Sequence, residues 1–272
     1  MPTDVYITDV PMSEALDPQY REFVLNLPGL ASKDLRIRHR GRGERAYILI
    51  HGIGMSAKYY LPLANILSED AQVFLVELPG FSRNDKPPRP LSMAEFADSV
   101  WQGMVAMWKQ RYMQPENVVV VGHSMGTQVA VEMALDTPVE PEAVVLMAPT
   151  VNDRESTRWQ QSLRLLEDSY RESPELGPIV VLSYLRCGLP WFFKTLTEML
   201  NHHMRDRLAK IEYPVMLIGG DADPICPPSW LDRVRDNESN VEDGFVKRAA
   251  HAMHFSHPSE TANLIRASLP SK

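Results

Sequence analysis

The chain has 272 residues, enough for one large domain or a domain carrying an insertion, and 44% of them are hydrophobic, which suits a packed core. A formal net charge of −7 argues against a nucleic-acid binder, which would show a basic stripe, and against attraction to an anionic membrane surface. Two cysteines, Cys187 and Cys226, supply no disulfide framework, so a reducing, cytoplasmic setting is expected.

The N-terminal stretch lacks a basic segment followed by an apolar one, so no signal peptide is expected. No apolar run reaches bilayer-spanning length. Asp17 as an N-cap, with Pro18 at the first helical position, predicts a short helix over 17–27, on an arm lying across the body. Alternation over 35–39 predicts a half-exposed strand, and Gly41-Arg42-Gly43 a hairpin turn. Residues 46–50 form a buried strand that empties into His51-Gly52-Ile53-Gly54. A helix over 56–67, a strand over 72–78 and a turn-rich loop over 79–88 follow. Ser92 and Glu95 make a capping box for a helix over 92–108.

Four consecutive valines, 118–121, predict a strand buried on both faces. It runs into Gly122-His123-Ser124-Met125-Gly126 and then a helix from Thr127. Strand, serine-bearing turn and helix are the context of a nucleophile elbow. The glycines are needed where strand and helix cross closely, and the helix N-terminus offers N–H groups to developing negative charge. A strand over 143–147 completes an alternation that implies a parallel sheet with helices on both faces. In such sheets the working loops gather at the carboxyl ends of the strands, where His51-Gly52 and Ser124 both fall. From 151 to 210 the pattern turns helical, rich in Trp, Leu, Met and Phe, and predicts a helical cap over a core formed by 1–150 and 211–272. Strand character returns over 214–218 and near 244–247, and a closing helix is expected over 259–269.

These residues resemble the α/β-hydrolase superfamily, in its cap-bearing serine-hydrolase branch. Five motifs carry the resemblance, in order from Leu35 onward. They are His51-Gly52; Leu78-Pro79-Gly80-Phe81 with Asp85-Lys86-Pro87; the Gly122–Gly126 elbow; Gly220-x-x-Asp223 with Pro224-Ile225; and His251 followed by His257-Pro258 and Glu260. The resemblance implies an α/β fold with a mostly parallel sheet. It implies Ser124 as nucleophile, Asp223 as acid and His251 as base, with the backbone N–H groups of Ile53 and Met125 as oxyanion hole. No cofactor is expected, and no carboxylate or cysteine spacing beside the three histidines 251, 254 and 257 supports a metal. Asp221 and Asp153 compete for the acid, and His254 and His257 for the base. His51 reads as loop packing, His202-His203 as a solvated pair on a helix, and Cys226 as a small buried filler near the acid loop. Thr127, Ser82 and Ala250 stand where many relatives have glycine.

A serine nucleophile and an apolar lid imply hydrolysis of a carboxylic ester of a small to medium, moderately hydrophobic molecule. Two alternatives remain open: a carbon–carbon bond hydrolase of vinylogous 1,5-diketones, which shares the Gly-His-Ser-Met-Gly elbow, and a hydrolase-fold protein that binds a small ligand without turnover.

Overall fold

The computed structural model describes residues 5–11, 17–27, 34–111, 114–152, 173–236 and 238–270. The predicted helical segment of Trp159, Leu163, Leu166 and Tyr170, and the alternative acid Asp153, lie outside them.

Nine strands form one sheet: β1 (Tyr6–Asp9), β2 (Arg21–Asn26), β3 (Asp34–Gly41), β4 (Arg45–Ile50), β5 (Gln72–Glu77), β6 (Asn117–His123), β7 (Pro141–Met147), β8 (Val215–Gly220) and β9 (Val241–Val246). Their spatial order is β1-β2-β3-β5-β4-β6-β7-β8-β9. From β5 to β9 every pairing is parallel, whereas β1, β2 and β3 join antiparallel. Helices α1 (Leu61–Leu67), α2 (Met93–Arg111) and α3 (Met125–Leu135) connect the middle strands. The capping box of α2 forms as predicted: Glu95 N–H donates to Ser92 Oγ, and Ser92 N–H donates to the Glu95 carboxylate. Helices α4 (Gly177–Cys187), α5 (Leu189–Asn201) and α6 (Met204–Leu208) lie between β7 and β8. Helices α7 (Pro228–Arg235), α8 (Met253–Ser256) and α9 (Pro258–Ala267) complete the chain.

The N-terminal region departs from expectation. The predicted helix over 17–27 is instead a single turn leading into β2. The capping signal is real but local: Asp17 Oδ1 accepts the Gln19 N–H, and Asp17 O accepts that of Tyr20. Beyond it, Phe23 and Leu25 are fully buried as β2 inserts between β1 and β3, so the predicted arm is part of the sheet. Gly41-Arg42-Gly43 is likewise not a hairpin turn, because β5 lies between β3 and β4 and pairs with both. Helix α7, with Pro228 at its first turn, was not foreseen, and β9 starts at Val241, three residues earlier than expected.

Arg38 of β3, also more buried than a half-exposed strand implies, joins Glu22 at 3.2 Å and Glu77 at 2.8 Å, all three shielded from solvent. Removing the cation would take the nearest counter-charge from two buried carboxylates, leaving Arg36 at 3.5 Å from Glu22 and the Ala57 N–H at 3.1 Å from Glu77. Arg38→Met is therefore expected to cost about 3–5 kcal/mol in urea unfolding, the usual penalty for breaking a buried ionic group.

The chain passes from β4 to β5 on one side and from β6 to β7 on the other. The direction of the crossovers thus reverses between β4 and β6, and in such sheets sites form at the carboxyl ends of the strands where this happens. Among the described residues no single helix is long and apolar enough to cross a membrane.

Candidate active site

Ser124 sits between β6 and α3 with φ 55° and ψ −123°. A non-glycine residue in this region is strained, and the surroundings hold it there. Its N–H donates to Met147 O of β7 at 3.0 Å, and its carbonyl accepts both the N–H and the hydroxyl of Thr127. Thr127, where the resemblance leads one to expect glycine, thus ties down the turn. A Cβ on Gly122 would lie 2.2 Å from Gly126 O, and one on Gly126 would lie 2.2 Å from Ile50 O. The elbow glycines are therefore required by contact between backbones. Ser82, another departure, has φ 55°, the conformation a glycine adopts freely.

The loop after β4 approaches the serine directly. A Cβ on Gly52 would lie 3.0 Å from Ser124 Cβ and 3.5 Å from its Oγ. The N–H groups of Ile53, beside Gly52, and of Met125, the first residue of α3, are the two expected donors to an oxyanion. Helix N-termini leave such groups free of intrahelical partners.

His251 Nδ1 and Asp223 Oδ2 are 2.7 Å apart, both residues buried. A carboxylate only accepts, so Nδ1 carries the proton and Nε2 is left as the basic nitrogen. Asp223 Oδ1 accepts the N–H groups of Ile225 at 2.7 Å and Cys226 at 3.0 Å, which fixes the carboxylate plane. His251 lies beside the elbow: its ring centroid is 4.7 Å from that of His123, and its carbonyl is 3.0 Å from His123 Nε2.

The competing residues have other partners. Asp221, on the exposed side, accepts the Arg248 N–H and holds the turn after β9. His257 Nδ1 bonds the Ser256 hydroxyl. His254 is fully buried against Tyr59, Tyr60 and His123. His51 donates from Nδ1 to Gly52 O and accepts the Leu78 N–H at Nε2, so it is a neutral strut. Burial pushes its imidazole below the ordinary value, against the opposing pull of Glu77. The Cys226 thiol is buried and pushed well above its usual range by burial, with Asp223 adding to the effect. His202 corrects an expectation: it is no solvated side chain but bonds Glu132 at 2.8 Å, alongside Arg207. Burial opposes ionisation of Glu132, yet His202 and Arg207 bring its carboxyl down to about 2.

Helices α4 and α5 reach the loops after β4 and β5. Tyr184 and Phe192 pack on Gly54, and Trp191 on Gly80. Ser183 and Ser56 hydroxyls meet at 3.2 Å, and Gln128 of α3 donates to Met199 O. An open groove lined by Arg21, His39, Arg40 and Arg42 lies at the opposite end of the strands and contains none of these catalytic candidates.

Sheet order, elbow and acid–histidine pair define one class of protein, and residues 47–264 match the alpha/beta hydrolase family. The chain belongs to that family of enzymes. More particularly, it is similar to the pimeloyl-[acyl-carrier protein] methyl ester esterase of Photorhabdus laumondii, with 25% identity over 85% of this chain and 95% of the relative. Among solved structures it resembles a thermophilic esterase from Thermogutta terrifontis, with TM-score 0.71, 16% identity, and coverage of 96% of this chain and 97% of the other. A serine hydrolase involved in carbazole degradation gives TM-score 0.69 at 17% identity, over 92% and 98% of the respective chains.

Proposed function

We propose that the protein hydrolyses a carboxylic ester of a small to medium, moderately hydrophobic molecule through an acyl-enzyme on Ser124. The observation that carries this reading is the His251–Asp223 hydrogen bond beside a serine held in a strained elbow. His251 Nε2 takes the Ser124 proton as Oγ attacks the ester carbonyl. The N–H groups of Ile53 and Met125 receive the tetrahedral oxyanion, at roughly 3–4 kcal/mol per donor in comparable enzymes. The imidazolium protonates the departing alkoxide. Water, deprotonated by the same nitrogen, then attacks the acyl carbonyl and releases the acid with Ser124 restored.

Residues 151–210 serve as the cap in this reading. Trp191, Phe192 and Tyr184 form apolar packing against the loops after β4 and β5, which supports an apolar acyl group at the site. The relatives named as methyl ester esterases make a methyl ester of a medium-length acyl chain the first substrate to test. The protein works without a cofactor, and a cytoplasmic location is part of the proposal.

A substrate panel tests this. Expected are turnover of p-nitrophenyl and methyl esters of four- to eight-carbon acids, and a fluorophosphonate adduct mapped to Ser124 by mass spectrometry. A specificity constant for a ring-fission dienone that exceeds every ester would instead make carbon–carbon cleavage the activity. Absence of both turnover and labelling would leave a ligand-binding role.

A further inference from the structure

Behind Ser124 lies a buried hydrogen-bond chain that the proposed chemistry does not use. Tyr59 Oη accepts the Gly52 N–H at 2.8 Å and is 2.8 Å from His123 Nδ1. His123 Nε2 is 3.0 Å from the carbonyl oxygen of His251. Tyr59 and His123 are both buried.

The chemistry allows this chain one direction. A carbonyl only accepts, so His123 must carry its proton on Nε2. In a neutral imidazole Nδ1 is then a lone pair, and the Tyr59 hydroxyl must donate to it. The Tyr59 oxygen is thereby free to accept the Gly52 N–H. His123 is held neutral: burial pushes its imidazole well below the ordinary value, with His254 and His251 adding to the effect. His254 closes the chain off. Its ring lies 4.4 Å from those of Tyr59 and His123, and among the described residues neither of its own nitrogens has a hydrogen-bond partner.

The two ends matter. Gly52 precedes Ile53, a proposed oxyanion donor, and the His251 carbonyl belongs to the proposed base. His123 itself precedes the nucleophile. We infer that Tyr59 and His123 are positioning residues that lock the oxyanion loop and the base loop to each other through a single permitted tautomer of His123. This rests on the roles proposed for Ser124, His251 and Ile53. A buried Tyr–His pair that merely fills core would have no such coupling.

Tyr59→Phe separates the two. It keeps the ring packing but removes the donor to Nδ1. The His251 carbonyl still requires the proton on His123 Nε2, so the tautomer holds, but Nδ1 loses its donor and the Gly52 N–H loses its acceptor, which unties the oxyanion loop from the base loop. The expected result is a 10- to 100-fold fall in kcat, the scale of a misplacement near 1 Å, with KM changed less than about twofold. ¹⁵N-histidine NMR reads both points directly: Nε2–H is expected in the parent and in Tyr59→Phe, with the Nδ1 resonance moved downfield in the variant as it loses the Tyr59 hydroxyl. The NMR comparison is repeated on a Ser124→Ala background, so its outcome stands whether or not the chain is an esterase. His123→Phe should lower kcat similarly, and the double variant should lose no more than either single one, because both break the same chain. Parent-like kcat in Tyr59→Phe would overturn the inference. So would an Nδ1–H tautomer in the parent, an unshifted Nδ1 resonance in Tyr59→Phe, or additive losses in the double variant.

Discussion

Asp223→Asn is expected to lower kcat by about 10⁴-fold, approaching the loss in Ser124→Ala, while leaving the fold intact. The reason is the orientation of the carboxylate. Oδ1 accepts two backbone N–H groups, from Ile225 and Cys226, so the side-chain oxygen of an asparagine must occupy that position. Its NH₂ group is then forced toward His251 Nδ1, where Oδ2 now accepts at 2.7 Å. An NH₂ group donates, so His251 must present a lone pair at Nδ1 and carry its proton on Nε2. That nitrogen can no longer take a proton from Ser124. The variant differs by one atom and keeps both backbone hydrogen bonds, so circular dichroism and melting temperature should change little. Steady-state kcat on a p-nitrophenyl ester, alongside Ser124→Ala, checks the outcome. Retention of more than about a tenth of the parent kcat would remove Asp223 from the mechanism.

Stability is expected to fall steeply as the pH drops from about 6.5 to 5. His123 and His254 are fully enclosed, and burial pushes both well below the ordinary value of 6.5; His251 adds to the effect on each. The folded protein keeps them neutral, while the unfolded chain protonates them below 6.5. The unfolded state then binds more protons, so unfolding becomes easier as the pH falls and the effect vanishes above about 7. Each such histidine removes up to about 1.4 kcal/mol per pH unit, so the pair removes about 4 kcal/mol by pH 5. That is a large share of the roughly 5–15 kcal/mol that holds a domain together. His51, lowered by burial, and His39, brought down to about 4 chiefly by burial with Arg21 adding, act in the same direction. Glu132, at about 2, loses its stabilising contribution only at more acid pH, as it protonates below the ordinary 4.5. Melting temperature across pH 5–8 reads the effect. His254→Phe, which keeps an aromatic ring in the same packing, should flatten the acid slope by about one proton. A parent melting temperature that is level from pH 7.5 to 5 would refute the assignment of neutral buried histidines.

Local patterning in the chain specified the elbow and the parallel core strands. These are local facts. A valine run, a glycine-bounded serine and a helix start are written in consecutive residues because the backbone contacts at Gly122 and Gly126 leave no freedom there. Ser92 and Glu95 made the start of α2 legible for the same reason, since a cap is satisfied within four residues. The closing choices were tertiary. Asp17 and Pro18 write a valid helix start, but Phe23 and Leu25 gain more by pairing in the sheet than one isolated turn could supply. The link at Gly41–Gly43 cannot reveal that a later strand, β5, enters between its two neighbours. Glu132 with His202, and Tyr59 with His123, are partners some 64 to 70 residues apart, and no local pattern announces them. Sequence spacing thus set the serine in its turn and narrowed the candidate acids and bases. Only the packed fold decided which carboxylate faces the imidazole, which histidines are shut away from protons, and what holds the loops in register, because those depend on burial and on direction in space.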